Sequence, residues 1–413
     1  MLNIARSFIV ALAFLYGGTA LAQQPAGTDA APQGSLVIIG GNLHYDTPAV
    51  WDRIVQLAGG KGARIAVFPS ASGNPKKAGN AVVDALRRSG ADAFFMPVSV
   101  RLEDVDYRKA VADPELVARV RGATGVYFTG GDQGRITKAL RTEDGRNTPM
   151  LDAIWEVYRK GGVIAGSSAG AAIMSTTMFH DAKPVLPTLK FGVTDGKEIA
   201  PGLGFIGPDI FVDQHLLIRG RFARMLPVML KKGYKLGLGV DENTAMVITD
   251  RVNLEVVGYK GILVVDLSEA STDPKLGAFN VRNAKLSYLD RGDRYNLATK
   301  AFTPSKQKAD GKVDPAKPYF TEPRFFPDIL ANTAVVDLMW DLIDNKQQEA
   351  VGLAFGAPDQ PMPELGFEFR FRKTPESAGW FSSAFGGEDY SVLNITLDVR
   401  PVRMNLPLYQ AKQ

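Results

Sequence analysis

The stretch VIAGSSAGAAIM, residues 163–174, places two serines between glycines where an apolar run meets a series of small residues. Its central part, Gly166-Ser167-Ser168-Ala169-Gly170, fits G-x-S-x-G, in which the middle serine is a nucleophile on a sharp strand-to-helix turn. Flanking glycines allow that turn because no Cβ obstructs the backbone. We therefore predict Ser168 as a nucleophile and Ser167 as a structural residue. The alternative is a tight turn whose small residues only pack.

A serine nucleophile needs a base to accept its proton. The chain has three histidines that could act as this base: His44, His180 and His215. His215 is followed by three arginines: Arg219, Arg221 and Arg224. Guanidinium groups present paired donors that match carboxylates, so this run favours a site for an acidic substrate. The alternative is a solvated surface with ordinary charges.

A histidine base is commonly oriented by a carboxylate. The segment GLGVDENTAMVI, residues 237–248, places Asp241 and Glu242 at the end of an apolar strand. Either carboxylate could orient the base, or Asp241 and Asn243 could only cap a turn at the strand end.

The segment YFTGGDQGRI, residues 127–136, reads as a strand, two glycines and the polar start of a helix. The backbone N–H groups of Gly131 and Ala169 are candidate donors to an oxyanion. Gln133 could reach a substrate, and Asp132 could cap the helix.

The first 33 residues have the pattern of an export signal and a linker. Arg6 precedes an apolar run from Phe8 to Leu15, and Ala20-Leu21-Ala22 is typical of a cleavage site. The run is shorter than the roughly 20 apolar residues that span a bilayer. We therefore predict a signal peptide over 1–22, a linker over 23–33, and an exported protein, extracellular or periplasmic, with no stable membrane anchor after cleavage.

Composition excludes several functional classes. The net charge is +4 without a long basic run, so nucleic acid is not an expected partner. The chain has no cysteine, which excludes a cysteine nucleophile and cysteine-ligated zinc. No motif has the spacing of metal ligands, and we expect neither a metal nor a cofactor.

The elements that must position these residues alternate between strand and helix from residue 35. Continuous apolar strands with helices between them predict an α/β fold with a mostly parallel sheet covered on both faces. From about residue 235 the pattern changes to successive strands, expected to be antiparallel. We place a catalytic α/β domain at 34–300 and an α+β or β-rich extension at 301–413, beginning with a charged linker or long loop at 303–320.

The chemical motifs together resemble cyanophycinase, a serine peptidase family related to the aspartyl dipeptidases of the E type. The likeness covers about residues 35–300. The residues that carry it are Phe128 to Gln133, Gly166 to Ala171, Asp213-Gln214-His215 with Arg219, Gly220, Arg221 and Arg224, and Asp241 to Ala245. Two positions depart from the family pattern, Leu216 and Ser167, and both changes are mild.

The resemblance implies a triad of Ser168 as nucleophile, His215 as general base and Glu242 as its orienting acid. It implies a substrate pocket formed by Gln133, Asp213, Gln214, Arg219, Arg221 and Arg224. It also implies a three-layer sandwich like the class I glutamine amidotransferases, and an acyl-enzyme mechanism without cofactor. The implied substrate is cyanophycin, a poly-aspartate chain with arginine on each β-carboxyl, and the products are β-Asp-Arg dipeptides.

Three alternatives remain open from the sequence. The same scaffold could serve an aspartyl or isoaspartyl dipeptidase, because a fold does not fix a substrate. An α/β-hydrolase esterase is less favoured, because its order is serine, acid, histidine, whereas Glu242 follows His215. The third alternative is an exported binding protein without catalysis. The extension could cap the site, bind polymer granules or support a homodimer.

Overall fold

The computed structural model of the protein describes residues 31–322, 324–386 and 389–407. The predicted signal peptide and most of the linker lie outside the described residues. From Pro32 onward the chain forms one compact unit. Among the described helices, none combines the length and the apolar character needed to cross a membrane.

Strands and helices alternate in the first half, and strands dominate the second half. The strands are β1 (Ser35–Ile39), β2 (Arg64–Phe68), β3 (Asp92–Phe95), β4 (Gly125–Phe128), β5 (Val163–Ser167), β6 (Thr177–Phe179), β7 (Ile199–Pro201), β8 (Ile210–Gln214), β9 (Leu236–Val240), β10 (Thr244–Thr249), β11 (Asn253–Gly258), β12 (Ile262–Asp266), β13 (Val281–Leu289), β14 (Arg294–Asn296), β15 (Phe302–Thr303), β16 (Phe325–Phe326), β17 (Glu349–Ala354), β18 (Leu365–Arg372), β19 (Ala378–Ser382) and β20 (Asp389–Arg403). The helices are α1 (Pro48–Leu57), α2 (Pro75–Arg88), α3 (Tyr107–Ala110), α4 (Pro114–Arg121), α5 (Gln133–Leu140), α6 (Pro149–Arg159), α7 (Ala169–Ala172), α8 (Val185–Phe191), α9 (Phe222–Lys232) and α10 (Ala334–Ile343).

The first sheet has the strand order β15-β14-β11-β10-β1-β5-β4-β2-β3. Its half from β1 to β3 is parallel, as predicted, and β10, β11, β14 and β15 add antiparallel strands at the other side. The fold is therefore mixed α/β.

Burial on both faces of this sheet follows from the two-residue period of a strand. Leu36 and Ile38 of β1 lie in one apolar core, and Val37 and Ile39 lie in another. The second core includes residues of α1 and α2, whereas the first includes residues of α4, α5 and α6. Both faces are covered by helices, which explains why the strands read as unbroken apolar runs.

The second sheet has the order β16-β17-β18-β20-β13-β12-β9-β8, with β19 on β20. Strands from both sides of residue 300 share it, so the extension continues a sheet that begins with β8 and β9. Beyond residue 300 this sheet includes β18 and β20, and the helix α10 lies in the same part of the chain. The domain boundary near residue 300 stays a prediction.

The segment 303–320, predicted as a charged linker or long loop, has little regular structure beyond a short turn at Lys306–Lys308. Lys308, however, is buried. At least part of this segment therefore belongs to the packed body of the protein, because a buried ammonium group requires partners.

The site lies where strands of both sheets end. Gly40 and Gly41 follow β1, Gly130 and Gly131 closely follow β4, and Ser168 follows β5. His215 follows β8, and Glu242 closely follows β9. This position at the carboxyl ends of the strands agrees with the usual place of ligand sites in such sheets.

Candidate active site

Ser168 lies at a sharp turn between β5 and α7, as G-x-S-x-G predicts. Its backbone has φ 55° and ψ −106°, a region that residues other than glycine rarely adopt. Its N–H donates to the Ile39 carbonyl at 2.9 Å. The nearby glycines are required, because a Cβ on Gly170 would lie 2.5 Å from the Phe128 carbonyl oxygen. The turn presents the Ser168 side chain at the end of the sheet.

Ser168, His215 and Glu242 form one line of hydrogen bonds. The Ser168 Oγ is 2.8 Å from the His215 Nε2. The His215 Nδ1 is 2.5 Å from the Glu242 Oε1. This is the arrangement in which a histidine accepts a serine proton while a carboxylate orients the ring.

The backbone around His215 holds its ring in place. His215 has a φ of 51°, and its N–H donates to the Gly40 carbonyl at 2.9 Å. A Cβ on Gly41 would lie 2.5 Å from Nε2 and 2.9 Å from Nδ1 of the imidazole. Gly41 therefore permits a close approach of the ring to the β1 end, and a larger residue would displace it.

The structure separates the two carboxylates that the sequence left open. Glu242 faces His215. Asp241 is fully buried and faces the backbone that follows His215. The Asp241 Oδ1 accepts from the N–H groups of Leu217 and Ile218 at 3.1 and 3.3 Å, and Lys260 donates to Oδ2 at 2.8 Å. Asp241 therefore holds the chain just after the histidine, and Glu242 is the carboxylate that contacts the imidazole; its orienting role stays a prediction.

Burial and nearby positive charge lower the pKa of His215, so its imidazole stays neutral down to a lower pH. Burial lowers the pKa of the imidazole, and the positive charges of Arg219 and Arg221 lower it further, against the opposing effect of Glu242. Burial alone would raise the pKa of Glu242, but hydrogen bonds from His215 and Asn42 hold it below its ordinary value. A neutral imidazole beside an ionised carboxylate is the state required of a general base.

Asn42 is a site residue that the sequence analysis missed. Its Nδ2 donates to the Glu242 Oε2 at 3.1 Å, on the oxygen not used by His215. Its left-handed backbone, with φ of 44°, follows the glycines after β1. An asparagine in a glycine turn after a strand was the available signal, but that pattern is common in loops.

The two predicted oxyanion donors belong to backbone segments close to Ser168. Ala169 is the next residue, and a Cβ on Gly130 would lie 3.2 Å from the Ser168 Cβ, which places the Gly130-Gly131 turn beside it. Gly131 has a φ of 142°. In the described part of the chain, the N–H groups of Gly131 and Ala169 have no hydrogen-bond acceptor. Both remain available to a ligand, and their role in binding an oxyanion stays a prediction.

The three arginines after His215 have different environments. Arg219 is exposed and has no acidic partner among the described residues. Arg221 is half-buried, donates to the Gln214 carbonyl at 2.8 Å, and has its pKa lowered to about 10 by burial. These two guanidinium groups can attract an anionic substrate toward the serine.

Arg224 and Asp213 form a buried ion pair. Two hydrogen bonds of 2.7 Å join the buried guanidinium to both carboxylate oxygens, and Arg224 also lies 3.9 Å from the centre of the Phe179 ring. Their predicted contact with substrate stays a prediction. In this structure the pair joins the end of β8 to α9.

The two predicted glutamines lie near this pair. The Gln133 Nε2 donates to the Phe179 carbonyl at 2.6 Å, which leaves its oxygen for other contacts. The Gln214 side chain is only 6% exposed, and its Oε1 has no hydrogen-bond partner in the described chain. A buried amide oxygen is rarely left without a donor, so Gln214 is well placed to accept one from a ligand.

The other two histidines lie outside the hydrogen-bonded line. The His44 N–H donates to the Asn243 Oδ1 at 3.1 Å, and His180 packs against Gly134. Within the described ranges, no group of three or more metal-ligating side chains comes together.

The comparison with known proteins agrees with this geometry. The model of Peptidase family S51 matches residues 36–254. The chain belongs to this family. It is therefore a serine-type peptidase, and the family match includes Ser168, His215 and Glu242.

Curated relatives extend the match. The chain is 31% identical to a cyanophycinase of a Nostoc species over 60% of this chain and 80% of that protein. It is 33% identical to a cyanophycinase of Geminocystis herdmanii over 64% of this chain and 93% of that protein. A solved peptidase of an acI-B1 Actinobacterium matches 57% of this chain and 91% of its own, with 23% identity and a TM-score of 0.44.

Proposed function

We propose that this S51 peptidase is exported and hydrolyses cyanophycin to β-Asp-Arg dipeptides through an acyl-enzyme. The observation that carries the peptidase chemistry is the contact of 2.8 Å between the Ser168 Oγ and the His215 Nε2. The cyanophycinases among its relatives support the choice of substrate. As part of this proposal, the fold is a three-layer sandwich like that of the class I glutamine amidotransferases.

The reaction follows from the positions of the side chains. His215 Nε2 takes the Ser168 proton as Oγ attacks the substrate carbonyl, and Glu242 stabilises the imidazolium that forms. The N–H groups of Gly131 and Ala169 donate hydrogen bonds to the carbonyl oxygen as negative charge develops on it. The imidazolium then gives its proton to the leaving amine as the C–N bond breaks. Water, activated by His215, releases the acyl group from Ser168.

The charges near Ser168 favour a substrate that carries both signs. Arg219 and Arg221 can bind the free α-carboxylates of the arginines attached to the poly-aspartate chain. The unpaired Gln214 Oε1 can accept an N–H from the substrate's own guanidinium. Asp213 attracts that guanidinium only if it shares its carboxylate with Arg224.

Product analysis tests this proposal. Purified mature protein is incubated with insoluble cyanophycin, and soluble products are identified by liquid chromatography and mass spectrometry, beside a Ser168→Ala control. Release of β-Asp-Arg by the unmodified protein alone is expected. If cyanophycin stays intact but aspartyl or isoaspartyl dipeptides are cleaved in a Ser168-dependent way, the dipeptidase alternative replaces it. Inactivity on all of these would favour the binding-protein alternative.

Export and assembly need separate measurements. N-terminal sequencing of protein recovered from the periplasm and the medium is expected to begin at Gln23, after the predicted cleavage site. Full-length protein in the cytoplasm would contradict export. Light scattering on the mature chain tests whether it forms the homodimer that the extension could support.

A further inference from the structure

The loop between β8 and α9 carries Arg219 and Arg221, and its inner side is fixed by Asp241. That carboxylate accepts from the N–H groups of Leu217 and Ile218. The Arg221 N–H donates to the Leu216 carbonyl at 2.8 Å, which closes the loop on itself. The inner contacts therefore set where the loop starts and ends.

The outer side of the same loop lies against the C-terminal extension. Gly220 has a φ of 56°, and a Cβ there would collide with the Leu330 carbonyl oxygen and lie 2.8 Å from its carbonyl carbon. Leu330 lies between β16 and α10. The preceding residue, Ile329, is fully buried and donates to the Leu353 carbonyl of β17 at 2.9 Å. The backbone that Gly220 meets is thus tied to the extension's sheet.

A second contact holds the end of the loop. Phe222 begins α9, directly after Arg221, and its ring packs edge-on against Phe369 of β18 with centroids 5.7 Å apart. Both rings are buried. Arg219 and Arg221 are therefore each adjacent to a residue that contacts the extension.

We propose that residues 325–372 form the outer wall of the substrate site and position Arg219 and Arg221 for the substrate carboxylates, a role that rests on the proposed function. This segment lies beyond the residues matched by the family model. Among the described residues, no hydrogen bond joins this segment to the side chain of Ser168 or His215, which bond to each other and to Glu242. The segment is a positioning element, so its loss should weaken substrate binding while leaving the serine–histidine pair intact.

Two phenylalanines on one strand give a matched test. Phe369 and Phe371 are both fully buried on β18, but only Phe369 makes the edge-on contact with the Phe222 ring within the described residues. Phe369→Leu is expected to raise KM for a soluble β-Asp-Arg oligomer about tenfold, with kcat within about twofold, because uniform binding is lost. Phe371→Leu is expected to change stability similarly and to leave KM unchanged. Equal KM values in the two variants would overturn the proposal.

Two glycines provide a second pair. Gly220→Ala and Gly233→Ala place a Cβ at left-handed positions, but Gly233 has nothing within 4 Å. Only Gly220→Ala is expected to raise KM, whereas labelling of Ser168 by a fluorophosphonate should proceed at the same rate in both. Slower labelling in Gly220→Ala would indicate a disturbed serine–histidine pair and contradict the positioning role.

Hydrogen exchange separates this inference from the proposed function. Amides of residues 217–221 are expected to exchange faster in Phe369→Leu than in Phe371→Leu, whatever the substrate is. If the two variants exchange at the same rate, the positioning role of residues 325–372 is refuted, even if cyanophycin is cleaved. If the exchange rates differ but the protein cleaves no cyanophycin, the positioning role stands and the proposed substrate is rejected.

Discussion

Two groups in this molecule place a serine hydroxyl next to a basic side chain and a carboxylate. In the candidate active site, Ser168 Oγ lies 2.8 Å from His215, which contacts Glu242. In the interior, Ser391 Oγ lies 2.9 Å from the Lys308 Nζ, which contacts Asp290 at 2.6 Å. Hydrogen-bond distance alone does not distinguish these two groups.

Their surroundings do distinguish them. Ser168 is half-buried on a strained turn, whereas Ser391 is 0% exposed within the regular strand β20. Lys308 is 1% exposed and donates to Asp290 and Ser391, and Ser391 in turn donates to the Asp293 Oδ2 at 2.5 Å. An ammonium committed as a donor cannot take a proton. The comparison shows that a nucleophile needs access and a neutral base, and that the second group is a structural ion cluster.

The largest difference is expected when each serine is removed. Ser168→Ala should lower peptidase activity by about 10³-fold or more, because the nucleophile is lost. Ser391→Ala should leave the specific activity of the folded protein within about twofold, because no substrate reaches the hydroxyl. Activity per mole of folded protein, checked by circular dichroism, decides the result. A large loss of specific activity in a normally folded Ser391→Ala variant would contradict the distinction between a catalytic and a structural serine.

The next effect tests the carboxylate beside His215. Glu242→Gln should lower kcat by roughly 10²- to 10⁴-fold, because the imidazolium loses its counter-charge and the ring its preferred tautomer. Asp241→Asn is the neighbouring control, and we expect it to act on the loop and hence on stability. A kcat loss confined to Asp241→Asn would contradict the orienting role of Glu242.

Removing the buried cation should act on stability. Lys308→Met leaves the Asp290 and Asp293 carboxylates buried without their counter-ion, and breaking such a pair costs about 3–5 kcal/mol. For a unit of this size, that corresponds to a fall in the thermal midpoint of roughly 4–6 °C.

The pH dependence gives the control for this variant. Burial already raises the pKa of Asp290 and Asp293 in the folded protein, against the opposing effect of Lys308. Groups with raised folded pKa values stabilise the fold at low pH and lose that contribution as pH rises. The deficit of Lys308→Met should therefore shrink between pH 7 and pH 5, as measured by thermal melting. A deficit independent of pH would contradict a charge-based role.

The first sheet and the turn at Ser168 were predictable because their signals are local. Apolar runs separated by helical periods predicted β1 to β5, and G-x-S-x-G predicted the turn within five residues. A local sequence pattern could not decide whether Glu242 or Asp241 contacts the histidine. Both follow β9, and the selection depends on which one meets a histidine 27 residues earlier.

The extension's contribution was less predictable for the same reason. The segment 303–320 is charged and proline-containing, which is typical of a solvated linker. Lys308 is nevertheless buried, because its partners come from Asp290, 18 residues before it, and from Ser391, 83 residues after it. Gly220 and Leu330 are also far apart in the sequence, and no periodic pattern of residues indicates that they meet.

The smallest expected effect concerns the charge around His215. Arg219 lowers the pKa of the imidazole, so Arg219→Gln should raise it and move the acid limb of the kcat/KM profile to higher pH by a few tenths of a unit, about the size of an exposed charge's influence. Arg219→Lys keeps the charge and should keep the limb in place, even if it binds substrate less well. No equivalent shift is expected from Lys312→Gln, since that residue belongs to the extension's loop beside Trp380. A limb that stays fixed in Arg219→Gln would mean that Arg219 does not contribute to the pKa of His215, and the exposed arginine would then act on substrate only.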